Sequence, residues 1–307
     1  MTLPAAAPAD RSIRRIPDPA EPVPPIAWAT VGLLMAGLGL WSAAAAAALS
    51  GLVPWWTATL VNAVAAFLLF TVTHEAWHHT TSTSTTLNTW IGRVATAFFA
   101  PFAGFGMARY IHMQHHRFTN EPDGRDPDHF LVHGRWWTAP LRWQSIDVYY
   151  FRFYLRHLGD RPRRERREAA ITFLLTAAVA LACGLSGHLW EFLYLYILPS
   201  RIQLLSLGYA FAYLPHHDLP HTPATDRFKT TRVRVGAERL LTPVLLYQNY
   251  HLVHHLHPVV PFYRYIQVWR RNEEEYLAGD PAIVTARGRP LTADEYRELQ
   301  ALRDHDH

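Results

Sequence analysis

The sequence predicts an all-α integral membrane protein, with four transmembrane helices and a cytosolic helical cap. Three observations carry that prediction. Half of the 307 residues are hydrophobic, and many gather in long uncharged runs. Of the 29 basic residues only Lys229 is not an arginine, and all of them avoid the short links between paired runs. Nineteen histidines, an unusually large number, fall mostly in tight groups beside the runs.

Residues 1–25 are Pro-rich and polar, with Arg11, Arg14 and Arg15, and read as a disordered cytosolic tail. The apolar run that follows is too long for a secretory signal. Residues 26–49 (IAWATVGLLMAGLGLWSAAAAAAL) carry no charge and are long enough to cross about 30 Å of hydrocarbon. Residues 53–73 (VPWWTATLVNAVAAFLLFTVT) form a second run, and the intervening SGL leaves room only for a tight hairpin. Residues 169–186 (AAITFLLTAAVALACGLS) are the third. Residues 190–214 (WEFLYLYILPSRIQLLSLGYAFAYL) are the fourth, interrupted by Pro199 and Arg201.

Four crossings place both termini on one side. Arginines flank the tail and the 74–168 loop, so the positive-inside rule sets both in the cytosol of a bacterial cytoplasmic membrane. The apolar stretch 94–107 is short for a span and holds Pro101, Gly104 and Gly106. A crossing there would put the histidines before and after it on opposite faces. It therefore reads as a re-entrant or interfacial hairpin. The membrane domain then covers 26–270, and 271–307 is a cytosolic tail. Its short helix opens on a Thr292/Glu295 capping box. The lone Cys183 excludes an internal disulfide and any cysteine-rich metal site.

The histidines form boxes. HEAWHH supplies His74 and His78 at the end of the second run, HMQHH supplies His112, His115 and His116, and NYHLVHH supplies His251, His254 and His255. LPHH, after the fourth run, holds His216 and His217. Positions i, i+3 and i+4 share one helix face, so each H-x-x-H-H box aims three imidazoles at one point. By the topology above, every box reaches the same cytosolic surface. At least nine of these boxed histidines cluster by pattern, too many for one ion and about right for two. Imidazole donors with open positions near a membrane point to oxygen chemistry and to iron.

HEAWH also fits H-E-x-x-H, the zinc-protease pattern in which the Glu activates water. That reading, a zinc intramembrane protease, leaves the other seven boxed histidines without a role. Otherwise Glu75 is a helix residue or an acceptor behind the ligands, and His79, about 100° round the helix from His78, is a neighbour. A non-catalytic metal carrier would need its polar ligands within the spans.

HEAWH, HMQHH and HLVHH resemble the three histidine boxes of the integral-membrane fatty acid desaturase and hydroxylase superfamily. The stretches HMQHHRFTNEPDGRDPDHF, YLPHH, DRFKTTRV and YQNYHLVHHLHPVVPFYRY are similar to the desaturase-type β-carotene hydroxylases. The resemblance covers roughly residues 50 to 270. It implies two non-haem irons held by His74, His78, His112, His115, His116, His216, His251, His254 and His255, with O2 as co-substrate. It also implies acceptors that orient the ring N–H groups, for which Asp126, Asp128, Asp226 and Asn249 are candidates. The implied reaction is 3-hydroxylation of a carotenoid β-ring, from β-carotene through cryptoxanthin to zeaxanthin. A fatty acyl desaturase and a carotenoid ketolase share the same core and stand as alternatives.

There is no Rossmann glycine fingerprint and no fused haem domain, so electrons are expected from a separate ferredoxin-type donor and its reductase. The run Arg152, Arg156, Arg161, Arg163, Arg164, Arg166 and Arg167 fits anchoring to anionic membrane lipid better than donor docking. Nucleic acid is not among the expected partners. A carotenoid is a rigid apolar rod about as long as the bilayer is thick. Lying across the membrane, it presents a ring to a site at the cytosolic face.

Overall fold

The computed structural model describes residues 15–305. Residues 1–14, most of the expected N-terminal tail, and the last two residues, His307 included, lie outside the described residues. Residues 15–25 run without regular structure along the surface. Arg271 and Asn272 donate to their carbonyls, and Ser82 donates to Pro25.

Among the described residues, three helices are long and apolar enough to cross a membrane by length and composition: α1 (Trp28–Leu49), α2 (Trp55–Trp77) and the helix Arg163–Leu185. The chain is therefore a membrane protein with at least these apolar helices. The α1–α2 link turns at Gly51, whose φ of +73° favours glycine. Gly37 of α1 lies against Leu69 of α2, where a Cβ would meet that side chain. α2 is the most buried of the three. Arg163–Leu185 is almost wholly exposed, and its surface side chains include Phe173, Leu174, Leu175 and Leu181. An apolar surface of this kind is suited to lipid.

The stretch expected to be the fourth span is helical from 189 to 216 but not uniformly α. Two π segments, Leu193–Ile197 and Gly208–Tyr213, interrupt it. Pro199 and Pro215 follow them closely. A proline lacks the N–H and crowds the carbonyl one turn back, so a widened turn before each proline relieves the clash. Arg201, uncharacteristic of a span, pairs with Asp147 at 2.8 Å.

The 94–107 stretch is the tip of a helical hairpin formed by α3 (Thr85–Phe99) and α4 (Phe105–Phe118). α3 packs antiparallel to α2, with Gly92 tight against Ala76 and Phe105. Pro101 at the tip accepts from Thr176 of the Arg163–Leu185 helix. α4 then returns toward the end of α2, so both sets of histidines lie at one site.

The fold is not purely helical. Arg232–Val235 pairs in parallel with Ala282–Thr285, which pairs antiparallel with Pro290–Leu291. Val233, Val235 and Ile283 of this sheet enter a core with Leu252, Val253, Tyr265, Trp269, Tyr276 and Tyr296. Residues beyond 270 thus pack against the element that carries the last histidine box. The Thr292/Glu295 box forms reciprocally, with Thr292 N–H donating to Glu295 at 2.9 Å and Glu295 N–H to Thr292 Oγ1 at 3.2 Å.

Candidate metal centre

Four segments bring the boxed histidines together. α2 ends at Trp77, and His79 turns the chain away in the left-handed region, with φ of 59°. That fixes His74 and His78 on the last turn, and Arg109 donates to the Trp77 carbonyl at 2.8 Å to close the end. α4 carries His112, His115 and His116 on its last two turns. The helical run ends at His216. Tyr247 is left-handed, with φ of 66°, and turns the chain into the helix His251–Leu256.

All nine expected histidines fall in two groups. In the first, one ring nitrogen from each of His74, His78, His112, His116 and His254 lies within 4.8 Å of every other. In the second, His115, His216, His251 and His255 meet the same limit. The groups adjoin: the rings of His116 and His255 stack with centroids 4.2 Å apart. His217 belongs to neither, and its Nε2 lies 2.9 Å from Asp218.

The nitrogens face one another with too few protons to bond them all. His112 Nε2 is 2.8 Å from His78 Nε2 and 3.1 Å from His116 Nε2, and His254 Nε2 is 2.9 Å from His116 Nε2. Both ring nitrogens of His74 and of His216 are buried without a hydrogen-bond partner. Leaving a buried polar group unmet costs about 1–3 kcal/mol. A cation at the centre of each group would take these lone pairs, so the residues fit a pair of metal ions. Burial first, then repulsion among neighbouring imidazoles, holds His112, His116, His251, His254 and His255 well below the usual imidazole range. They are therefore neutral at pH 7, the form that binds metal.

Behind the rings stand oriented acceptors. Asp126 is buried and lies 2.9 Å from His115 Nδ1, while also accepting from the backbone of Asn120 and Asp128. Burial lowers the His115 pKa, but Asp128 and Asp126 outweigh it and raise it to about 9. Of the other expected acceptors, Asp128 is 3.6 Å from the same nitrogen and accepts from Tyr150. Asp226 accepts from the Phe228 backbone at 3.1 Å, and Asn249 donates to Thr242 at 3.1 Å. Neither of those two contacts is to a ring of the groups.

Three contacts escaped the sequence reading. Gln248 Oε1 is 2.5 Å from His251 Nδ1, Tyr265 hydroxyl is 2.9 Å from His254 Nδ1, and Thr119 Oγ1 is 3.4 Å from His255 Nδ1. Gln248 and Thr119 lie three and four residues from a box histidine, a helical spacing that marks them in hindsight. Glu75 joins neither group. Its Oε2 accepts from Thr80 Oγ1 at 2.7 Å and from the Phe262 backbone at 3.1 Å.

An apolar cavity adjoins the centre. His74, His112, His115 and His251 line it, together with Phe70, Phe99, Met107, Ile111, Leu131 and Phe211. Phe102, Phe151 and the paired Arg201 and Asp147 line it as well.

Two histidine groups beside an apolar cavity define a membrane protein with a candidate metal centre. Residues 50–286 match the fatty acid desaturase family, and the chain belongs to that family. Two proteins similar to it are β-carotene ketolases. The one from Paracoccus sp. strain N81106 is 29% identical over 165 residues, 53% of this chain and 58% of the relative. The one from Paracoccus sp. strain PC1 is 27% identical over 199 residues, 64% of this chain and 71% of the relative. The match thus spans less than two thirds of the first relative's length.

Proposed function

We propose that this chain is an O2-dependent oxygenase that oxidises a ring carbon of a membrane-dissolved carotenoid, carrying a ring methylene to a ketone. The observation that carries the reading is the apolar cavity lined by His74, His112, His115 and His251. A site of this form admits a hydrocarbon ring and brings its carbons to the metal-binding end. The two ketolase relatives favour a ring ketone over the ring 3-alcohol that the sequence motifs suggest.

In this reading the five imidazoles of the first group and the four of the second would each hold one iron, and the pair would supply the O2 activation needed to break an unactivated C–H bond. The residues of the chain do the rest. Phe70, Phe99 and Phe211 exclude water from the reacting end. Asp126 and Gln248 fix the tautomers of His115 and His251 by taking the proton on Nδ1. The centre faces the cytosol below a fourth crossing made by residues 190–214, and a ferredoxin-type protein with its reductase delivers electrons there.

The test is expression in a β-carotene-producing bacterial host supplied with ferredoxin and reductase. Ring ketones are expected, identified by mass spectrometry and by absorbance. Ring 3-alcohols alone, cryptoxanthin and zeaxanthin, would replace this reading with the hydroxylase. Unchanged carotene with new double bonds in the membrane lipids would replace it with an acyl desaturase.

A further inference from the structure

Beside the histidines, the cavity wall carries a second acid next to Asp126. Asp126 already takes the Nδ1 proton of His115 at 2.9 Å. Asp128 lies 3.6 Å from that nitrogen, too far for a hydrogen bond. Its other oxygen accepts from the hydroxyl of Tyr150, carried by the helix Ile146–Arg156. Asp128 and Tyr150 both line the cavity, beside Ile146, Leu131 and Met107. A carboxyl group can accept several hydrogen bonds, and one turned toward an apolar space is short of donors. A ring hydrocarbon offers it none, whereas a ring alcohol offers one.

We infer that Asp128, held in place by Tyr150, accepts a hydrogen bond from the ring alcohol made by the first oxidation and retains that carbon at the centre for the second. The inference rests on the ketolase reading and names the residues that commit the reaction to the ketone. The first oxidation replaces a ring C–H by C–OH. It consumes one O2, two electrons from the iron–sulfur donor and two protons, and it releases one water. The second oxidation repeats this at the same carbon, and the geminal diol loses water to give C=O. Between the two, the alcohol either stays or escapes to the bilayer. Asp128 raises the fraction that stays, and the Tyr150 hydroxyl fixes the direction in which the carboxyl points.

The test compares Tyr150→Phe and Asp128→Asn with the unaltered full-length protein, iron-loaded, in lipid nanodiscs with β-carotene, ferredoxin and reductase. The first readout is the ratio of ketone to alcohol released, which does not depend on how much total turnover survives. Loss of one hydrogen bond predicts a fall in that ratio of several-fold, up to about tenfold, in Asp128→Asn, and a smaller fall in Tyr150→Phe. The second readout is binding to the iron-free protein, followed by the absorbance shift of the carotenoid. The unaltered protein should bind the ring alcohol more tightly than β-carotene, and the variants should lose that preference. An unchanged ratio and an unchanged preference in either iron-replete variant would overturn the inference while leaving the ketolase reading intact. Unaltered protein that releases only alcohol would remove the ketolase reading itself. If Asp128→Asn fails to fold or load iron, Tyr150→Phe, which removes a single oxygen, decides alone.

Discussion

The two histidine groups are built on different plans. The first has five imidazoles, from α2, α4 and the helix His251–Leu256, and among the described residues its hydrogen-bonded ring support from outside the group is the neutral hydroxyl of Tyr265. The second has four, includes His216 from the interrupted helical run, and is backed by a buried carboxylate, Asp126, as well as by Gln248 and Thr119. A carboxylate behind an imidazole makes it a more basic donor. If each group holds one iron, as proposed, the difference teaches that ligand number and outer charge can substitute for each other. On this view the two positions should bind their ions comparably yet fail differently.

The largest expected effect removes a ligand. His216→Ala leaves three imidazoles in the second group, whereas His78→Ala leaves four in the first. Both variants should lose more than about a hundredfold in turnover, since even residues behind the ligands are worth ten- to a hundredfold. Iron should part them. Elemental analysis should find close to one iron per chain in His216→Ala and clearly more in His78→Ala. Near-wild-type turnover in both variants would end the two-ion assignment.

The next effect exchanges the supports. Asp126→Asn keeps the shape but not the charge behind His115, and should weaken the iron of the second group by about ten- to a hundredfold in chelator competition. Tyr265→Phe removes a neutral contact from His254 and should cost the first group only a few-fold. Equal losses would show that charge is not what compensates the second group for its missing ligand.

What the sequence disclosed follows from range. The box histidines are spaced along single helices, so their shared faces were visible in the residue numbers, and His216 was marked by its place after an apolar run. The partners behind the rings were harder. Asp126 stands eleven residues from His115 among several acids of the same loop, and Gln248, which makes the contact, adjoins the equally plausible Asn249. Tyr265 reaches His254 from a separate helix that no local pattern ties to the box. The small sheet was also missed, because Arg232–Val235 and Ala282–Thr285 are four-residue strands about fifty positions apart. The π segments were hidden in a run whose composition reads as ordinary helix, although Pro199 announced an interruption.

The smallest expected effect concerns Glu75, which lies inside the motif of the first group yet supports neither group directly. Both of its hydrogen bonds, from Thr80 and from the Phe262 backbone, end on the same oxygen, Oε2. The other oxygen stands 4.0 Å from His74 Nδ1, beyond hydrogen-bond distance. Glu75→Gln can therefore keep both contacts by placing its amide oxygen where Oε2 sits. The loss is only the extra strength that charge gives those bonds, about 1 kcal/mol of stability. Iron content should stay at the wild-type level and turnover should change by no more than a few-fold, with the cost visible only in the thermal midpoint. A zinc protease would lose its general base through the same change. Abolished turnover with iron retained would instead place the Glu75 carboxylate behind His74 in the working enzyme. The first group would then have a charged support of its own, and the contrast between the two groups would disappear.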